Sequence, residues 1–283
     1  MFRDLLVHVR PGMSGTDLSA AEGAFAVALA LAGPGGIAAG ARVTAVMTFR
    51  AIAMLRQIFP QGGPDVDREA ARVAALAASA DHTLREAAGR AGVDQTVETG
   101  EGDGAEIMEI CGRTRDLTIV AQTDPRAEDG WDVPERCALG TGRPVLVVPR
   151  GSVPARVGSR ILVAWNGSRE AASAVHQALP FLATAEMIHV LEGRGRGSGP
   201  SITKPASVDI LAHLKRHAGS VEALSTGVDE TVAGTAILDA AAATDSDLIV
   251  MGAYGRPWIS EWLLGGATRQ VLRDMTVPVL LAH

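Results

Sequence analysis

The chain contains the sequence Asp247-Leu-Ile-Val-Met-Gly-Ala-Tyr-Gly255 and, nine residues later, the sequence Gly265-Gly-Ala-Thr268. The apolar run before the first glycine is typical of a buried parallel strand, and the residues after the second glycine pair have a helical pattern. A strand, a glycine turn and a helix N-terminus in this order can hold a phosphate on backbone N–H groups and the helix dipole. Glycines let the backbone approach such an anion closely, although glycines in these turns also serve tight packing.

The length and composition indicate two α/β domains. The chain has 283 residues, enough for two domains of about 140 residues each. It is 47% hydrophobic but only 4% aromatic, so its cores must consist mainly of Ala, Val, Leu and Ile, which suits closely packed α/β layers. The net charge is −6 without a basic run, which argues against a nucleic-acid partner. Cys111 and Cys137 show no metal or redox spacing.

The N-terminus predicts a cytoplasmic protein. Residues 1–4 lead almost at once into a strand pattern, without the charged and then apolar layout of a signal peptide. The longest apolar stretch, around residues 24–32, is far shorter than the roughly 20 residues that cross a bilayer. We therefore expect neither a membrane span nor a membrane partner.

The chain repeats one unit. Three pairs of apolar runs correspond in order: 4–9 with 160–165, 116–120 with 247–251, and 144–148 with 278–281. The segment 149–159 between the copies is rich in Pro and Gly, as linkers are. We predict domains at 1–150 and 157–283. Because strands alternate with helical patterns in each copy, each domain should contain an open parallel sheet with helices on both faces.

The segment around the glycines resembles the closing signature of the universal stress protein family, Gly-x2-Gly-x9-Gly-(Ser/Thr). The spacing matches at Gly252, Gly255 and Gly265, whereas Gly266 stands at the hydroxyl position and leaves only its N–H as a donor. The resemblance covers nearly the entire chain as a tandem of two domains. It implies two five-stranded Rossmann-like sheets of order 3-2-1-4-5, with a ligand crevice between strands 1 and 4. It also implies a pseudo-dimer paired through the last strands, and it leaves a further homodimer open.

The resemblance also implies contacts outside the glycines. Asn166 takes the place of the family's usual Asp beside the nucleoside, and Val190 matches a residue that contacts adenine. Arg256 could reach phosphate oxygens, and Thr268 could replace the missing hydroxyl. Each of the four also has a purely structural interpretation. Asn166 would belong to a strand-end turn followed by Ser168 as a helix N-cap, and Val190 would be a core residue. Arg256 would be a solvated loop charge, and Thr268 an ordinary residue of the first helical turn.

Two further clusters have structural explanations as well as functional ones. Trp258 and Trp262 lie four residues apart, so they could stack on a base, although packing at a contact between domains or subunits fits them better. His213 and His217 are one helical turn apart and fall off the apolar face of their helix. A zinc site there would need further ligands that the sequence does not reveal, so we interpret them as solvated.

The first copy has lost the site chemistry. Its fourth strand ends in Ala121-Gln-Thr-Asp-Pro-Arg126 instead of a glycine turn, and Arg10 stands where the family usually has Asp. The connection to the last strand carries four acidic residues that would repel phosphate, at positions 128, 129, 132 and 135. Gly140 and Gly142 follow the helical stretch instead of opening it. We interpret this domain as structural, regulatory or a receptor for something other than a nucleotide.

The favoured function is a stress-response protein that binds one adenine nucleotide, ATP, ADP or AMP with or without magnesium, in the second domain. The alternative is a regulatory or interaction module that binds no nucleotide, which Asn166 and Gly266 favour. A third hypothesis is an enzyme that handles an adenylate in the same crevice. The sequence contains no P-loop lysine motif, no nucleophile elbow and no identifiable pair of carboxylates near the glycines. We therefore expect no enzyme, with slow ATP hydrolysis left open.

Overall fold

A computed structural model gives the architecture of the chain. It describes residues 1–9, 19–123, 133–151, 153–154, 156–193, 209–228, 233–253 and 266–283. The chain divides into two compact units, Met1–Val153 and Pro154–His283.

The first unit is a parallel five-stranded sheet with helical connections. Its strands are β1 (Asp4–Val9), β2 (Arg42–Phe49), β3 (Gln95–Glu101), β4 (Leu117–Ala121) and β5 (Val145–Val148). Its helices are α1 (Ser19–Ala32), α2 (Arg50–Ile58), α3 (Pro64–Ala91), α4 (Gly104–Gly112) and α5 (Val133–Gly140). The strand order is β3-β2-β1-β4-β5, and neighbouring strands are parallel.

The second unit repeats this arrangement. Its strands are β6 (Arg160–Trp165), β7 (Met187–Gly193), β8 (Val221–Val228), β9 (Leu248–Gly252) and β10 (Val279–Ala282). Its helices are α6 (Arg169–Gln177), α7 (Leu179–Leu182), α8 (Ile210–Leu214), α9 (Ala233–Ala243) and α10 (Gly266–Asp274). The order β8-β7-β6-β9-β10 is again 3-2-1-4-5, and its neighbouring strands are parallel as well. The predicted fold class and sheet order are confirmed. The pairing of the two last strands with each other stays a prediction.

The cores follow from the composition. The central strands are apolar on both faces, as strands covered by helices on both sides must be. Leu5 to Val7 in β1 and Ile161 to Val163 in β6 are fully buried. The helices press small side chains against these strands; in α6, for example, Ala171 and Ala174 are buried. Because these side chains are small, the helices can approach the sheet closely, and the core is filled with few aromatic residues.

In each unit, the carboxylate of an aspartate just before the fourth strand fixes the start of the first strand. Asp116 stands just before β4, and its Oδ2 accepts hydrogen bonds from the backbone N–H groups of Arg3 and Asp4 at 2.7 and 3.2 Å. Asp247 stands just before β9, and its carboxylate accepts from three backbone N–H groups, those of residues 158, 159 and 160, at 2.9 to 3.1 Å. The internal repeat therefore extends from strand order to individual hydrogen bonds.

No helix within the described ranges is long and apolar enough to cross a membrane.

Candidate functional site

The predicted crevice of the second unit lies at the carboxyl ends of β6 and β9. These strands are neighbours, with Ala164 opposite Met251, so the turns that follow them leave the sheet side by side. The described part of the site comprises residues 164–170, 251–253 and 266–268. Five residues singled out from the sequence lie outside the described residues: Gly255, Arg256, Trp258, Trp262 and Gly265.

The turn from β6 into α6 is closed by its own side chains. Asn166 is exposed, and its Oδ1 accepts a hydrogen bond from the backbone N–H of Ser168 at 3.1 Å. Gly167 has a positive φ of 71°, which glycine adopts without strain. Ser168 is the N-cap of α6, and its Oγ accepts from the backbone N–H of Ala171 at 3.1 Å. The strand-end turn and the helix cap that the sequence predicts as the structural alternative are therefore present. Neither of these two hydrogen bonds uses the amide N–H groups of Asn166.

Glu170 is the functional candidate that the sequence analysis missed. It occupies the first turn of α6, is only 8% exposed, and pairs with the exposed guanidinium of Arg169 at 3.1 Å. Burial alone would raise the pKa of the Glu170 carboxyl. Hydrogen bonds from its own backbone N–H, from Arg169 and from Ser168 outweigh this effect and lower the pKa below its ordinary value. The carboxylate is therefore charged at neutral pH.

Gly252, the last residue of β9, packs directly against the start of α6. A Cβ at this position would lie 2.5 Å from the backbone nitrogen of Ala171 and 2.6 Å from the carbonyl carbon of Glu170. Both distances are far inside van der Waals contact, and both atoms belong to the backbone. The close approach of strand and helix is therefore sufficient reason for glycine at 252, whatever ligand the neighbouring turn binds.

Helix α10 begins at Gly266. This residue is exposed, and a Cβ built there would meet no heavy atom within 4 Å. The first N–H groups of a helix have no partner within the helix, so they are available to an anion. Thr268 is only 4% exposed, so its side chain turns inward and not toward the open start of the helix. A shifted helix start that would present Thr268 is not observed.

Val190 lies in the middle of β7, between Val163 of β6 and Ala223 of β8. It is fully buried. Its surroundings are those of a core residue, and its contact with a base stays a prediction.

The histidine pair acquires a third member that sequence spacing could not reveal. The ring of His213 lies 4.9 Å from that of His217 and 5.4 Å from that of His176 in α6. Burial, followed by the nearby positive charges of His217, His176 and Arg216, lowers the pKa of His213. Nevertheless, no group of three or more His, Cys, Asp or Glu side chains in the described chain is arranged to hold a metal ion.

The corresponding region of the first unit is described only in part. Arg10, Pro125 and the acidic residues at 128, 129 and 132 lie outside the described residues. At the ends of β1 and β2, the Nε2 of buried His8 lies 3.0 Å from the Oγ1 of Thr48. A Cβ on Gly104 would lie 2.6 Å from the same Oγ1. The start of α4 therefore packs closely against Thr48 at this strand end. Gly140 ends α5 and Gly142 follows it, as predicted.

The two cysteines are free thiols. Cys137 is fully buried, and burial, with a smaller effect of Glu109, raises its pKa to about 12. Burial also raises the pKa of Cys111. A thiol reacts as the thiolate, so neither cysteine has the environment of a nucleophile.

Comparison with known proteins places this site in a family. The model of the universal stress protein family matches residues 159–283. A universal stress protein from Archaeoglobus fulgidus DSM 4304 superimposes with a TM-score of 0.67 at 18% identity, covering 99% of this chain and 95% of that one. A protein of unknown function from Pseudomonas aeruginosa PAO1 gives a TM-score of 0.53 at 16% identity, covering 99% and 92%. A comparison with curated protein sequences gave no match. The second unit is therefore a universal stress protein domain, and the whole chain has the tandem two-domain fold of the universal stress protein from Archaeoglobus fulgidus.

Proposed function

We propose that the second unit binds one adenine nucleotide in the crevice at the carboxyl ends of β6 and β9, and that the protein serves a stress response through this site. The observation that carries the proposal is the position of the glycine signature. Its first glycine, Gly252, ends β9, and Gly266, at the hydroxyl position of the signature, opens α10, in the unit that the family model matches. The first unit, whose strand ends lack this signature, would be structural or regulatory.

The two helix N-termini at the crevice differ in what they offer an anion. At α6, the N–H groups of Ser168 and Ala171 are bonded to the side chains of Asn166 and Ser168 respectively. At α10, the exposed Gly266 has no side chain that could cap the helix. The start of α10 is therefore the better phosphate site, with Gly255, Arg256 and Gly265 as the further contacts we propose.

The base or ribose would lie toward β6. Asn166 is exposed at the strand end, and because its Oδ1 is occupied within the turn, it offers its amide N–H groups to an acceptor on the ligand. Val190 would contribute only an apolar surface below the ligand. We propose that Thr268 supports the helix start from inside instead of touching the phosphate.

Titration calorimetry with ATP, ADP and AMP, with and without magnesium, tests this function. We expect about one site per chain, and the replacement Gly255→Val should abolish binding because a branched side chain would block the backbone's approach. Gly219→Val is the matched control, since a Cβ at 219 meets no atom within 4 Å and the residue lies outside the crevice. Two equivalent sites would contradict the degenerate first unit, and unchanged affinity in Gly255→Val would contradict the phosphate turn.

A module that binds a protein partner and no nucleotide is the second candidate. Gly266 favours it, because the hydroxyl expected at that position is missing. Mass spectrometry of the denatured protein after purification separates the two candidates by showing whether an adenine nucleotide accompanies the chain. We further propose that the protein acts in the cytoplasm without enzymatic activity, with a further homodimer to be tested by light scattering.

A further inference from the structure

Asn166, in the turn after β6, is the only asparagine among the 283 residues of the chain. It is followed by Gly167, and both residues are exposed to solvent. An asparagine loses its side-chain amide when the backbone nitrogen of the next residue attacks its Cγ, and glycine at the next position hinders this attack least. The single asparagine of the chain therefore stands in the sequence context in which this residue type is chemically most labile.

The turn leaves the attacking nitrogen accessible. A Cβ built on Gly167 would meet no heavy atom within 4 Å, so no neighbouring group covers this position. Within the described ranges, no other residue accepts a hydrogen bond from the Gly167 backbone N–H. Water or hydroxide can therefore reach this N–H and remove its proton as the nitrogen attacks.

The side chain of Asn166 is polarised for the same reaction. Its Oδ1 accepts a hydrogen bond from the backbone N–H of Ser168 at 3.1 Å. Negative charge develops on Oδ1 when a nucleophile adds to Cγ, so a donor that is already in place stabilises the tetrahedral intermediate, as an oxyanion hole does. Neither this bond nor the helix cap formed by Ser168 holds the amide nitrogen Nδ2, which must leave as ammonia.

We propose that Asn166 is a site of spontaneous deamidation, so that the turn after β6 changes with time from a neutral amide to a carboxylate. The Gly167 nitrogen forms a bond to Cγ of Asn166 and loses its proton, which solvent delivers to the departing amide. The bond between Cγ and Nδ2 breaks, ammonia leaves and a succinimide ring remains. Water opens this ring at Cγ to give aspartate, or at the backbone carbonyl carbon to give isoaspartate. The chain thus takes up one water molecule for each ammonia that it releases.

The two products have different effects on the turn. Aspartate keeps an acceptor for the Ser168 N–H, and this acceptor is now charged and close to the N-terminus of α6, where the helix dipole favours negative charge. Isoaspartate inserts a methylene group into the backbone between β6 and α6 and so displaces the same hydrogen bond. Both products remove the amide N–H donors. The reaction requires no bound ligand, so it is independent of the proposed function.

The test is the mass of the intact protein during incubation at mildly alkaline pH, with the folded wild type compared with the same chain in urea. Deamidation adds about 1 Da, or about 3 Da in water labelled with heavy oxygen, and no other asparagine contributes to this gain. We expect the folded chain to react within about tenfold of the rate of the unfolded chain, because the turn holds the reacting groups together. A folded chain that gains no mass while the unfolded chain converts completely would show that the turn protects Asn166, and the proposal would be wrong.

Three variants identify the nucleophile. Gly167→Ala places a side chain beside the attacking nitrogen and should slow the mass gain roughly tenfold. Gly142→Ala is the matched control, because Gly142 also has a positive φ, 65°, and open space around its Cβ, but lies in the first unit; it should react at the wild-type rate. Asn166→Gln moves the amide one methylene group away from the backbone nitrogen, so its mass gain should fall to the background of the glutamines.

Two outcomes of this comparison overturn the proposal. If Gly167→Ala reacts as fast as the wild type, or no faster or slower than Gly142→Ala, the Gly167 nitrogen does not attack the side chain. If Asn166→Gln gains mass at the wild-type rate, the reaction does not occur at position 166.

Discussion

Replacing Gly252 by alanine tests whether this glycine serves packing or ligand approach. The new Cβ would lie 2.5 Å from the Ala171 nitrogen and 2.6 Å from the Glu170 carbonyl carbon. Ordinary contacts begin near 3.4 Å, so the start of α6 or the end of β9 must move by almost 1 Å. Backbone atoms cannot rotate away as the end of a flexible side chain can. The strain must therefore spread into the packed layer between strand and helix.

The expected cost follows from this geometry. Inserting a methyl group into a well-packed core costs about 1–3 kcal/mol. Because Gly252 has no positive φ, alanine also restricts the unfolded chain, which offsets about 0.4–1 kcal/mol. We expect a net loss of about 1–2 kcal/mol. Gly266→Ala is the matched control, since nothing lies within 4 Å of its Cβ, and it should be neutral or stabilising by up to about 1 kcal/mol.

Urea unfolding followed by circular dichroism measures both variants, with the second unit fitted as its own transition. Nucleotide affinity should be measured on the same preparations. If Gly252→Ala unfolds at the wild-type urea concentration while it loses ligand, the close packing of β9 and α6 is not what requires glycine, and ligand approach is. If both glycine variants lose the same stability, the steric argument is wrong.

Three other changes test separate features of the second unit. Gly266→Ser restores a hydroxyl at the start of α10 and should tighten ATP binding about fivefold, equivalent to about 1 kcal/mol, whereas Gly219→Ser should not; unchanged calorimetric affinity would contradict a phosphate there. The fold lowers the pKa of His213 below its ordinary value of 6.5. Below pH 6.5 the unfolded chain therefore binds more protons than the folded chain, so the free energy of unfolding should fall as the pH drops toward the lowered pKa. His213→Gln should flatten this fall in urea unfolding from pH 7 to 5, and the exposed His82→Gln should not; equal slopes would refute the assignment. Asp247→Ala leaves three backbone N–H groups without their acceptor, so the free energy of unfolding, measured by thermal unfolding, should fall by about 2–3 kcal/mol. A loss below about 0.5 kcal/mol would show that water replaces the carboxylate as the acceptor.

The fold could be predicted because it depends on patterns that repeat locally. Short apolar runs such as Leu248 to Met251 alternate with alanine-rich helical segments, and only a parallel sheet covered on both faces buries both. Two copies of the pattern indicate two such sheets. The family's strand order then followed from resemblance, and the structure confirms it in both units.

The site could be predicted only where it depends on neighbours in sequence. The Asn166 turn and the Ser168 cap are local, and both were recognised as alternatives. Glu170 was missed because its burial depends on Gly252, which is distant in sequence and reaches α6 only through the sheet. His176 was missed for the same reason, since it meets His213 from a different helix. The spacing of the glycines does not reveal whether a position requires glycine because a ligand approaches it or because another part of the backbone packs against it.

The carboxylates of Asp116 and Asp247 have a consequence for the order in which the chain folds. Each joins the first strand of its unit to the residue before the fourth, across 112 to 113 positions in one unit and 87 to 89 in the other. Contacts across such distances can form only after the intervening strands and helices have drawn the chain together, because closing a long loop early is entropically costly. We therefore expect removal of either carboxylate to accelerate unfolding far more than it slows folding. The hydrogen bonds of these two side chains would form last during folding, and they would therefore set the unfolding rate of each unit and with it the lifetime of the folded state.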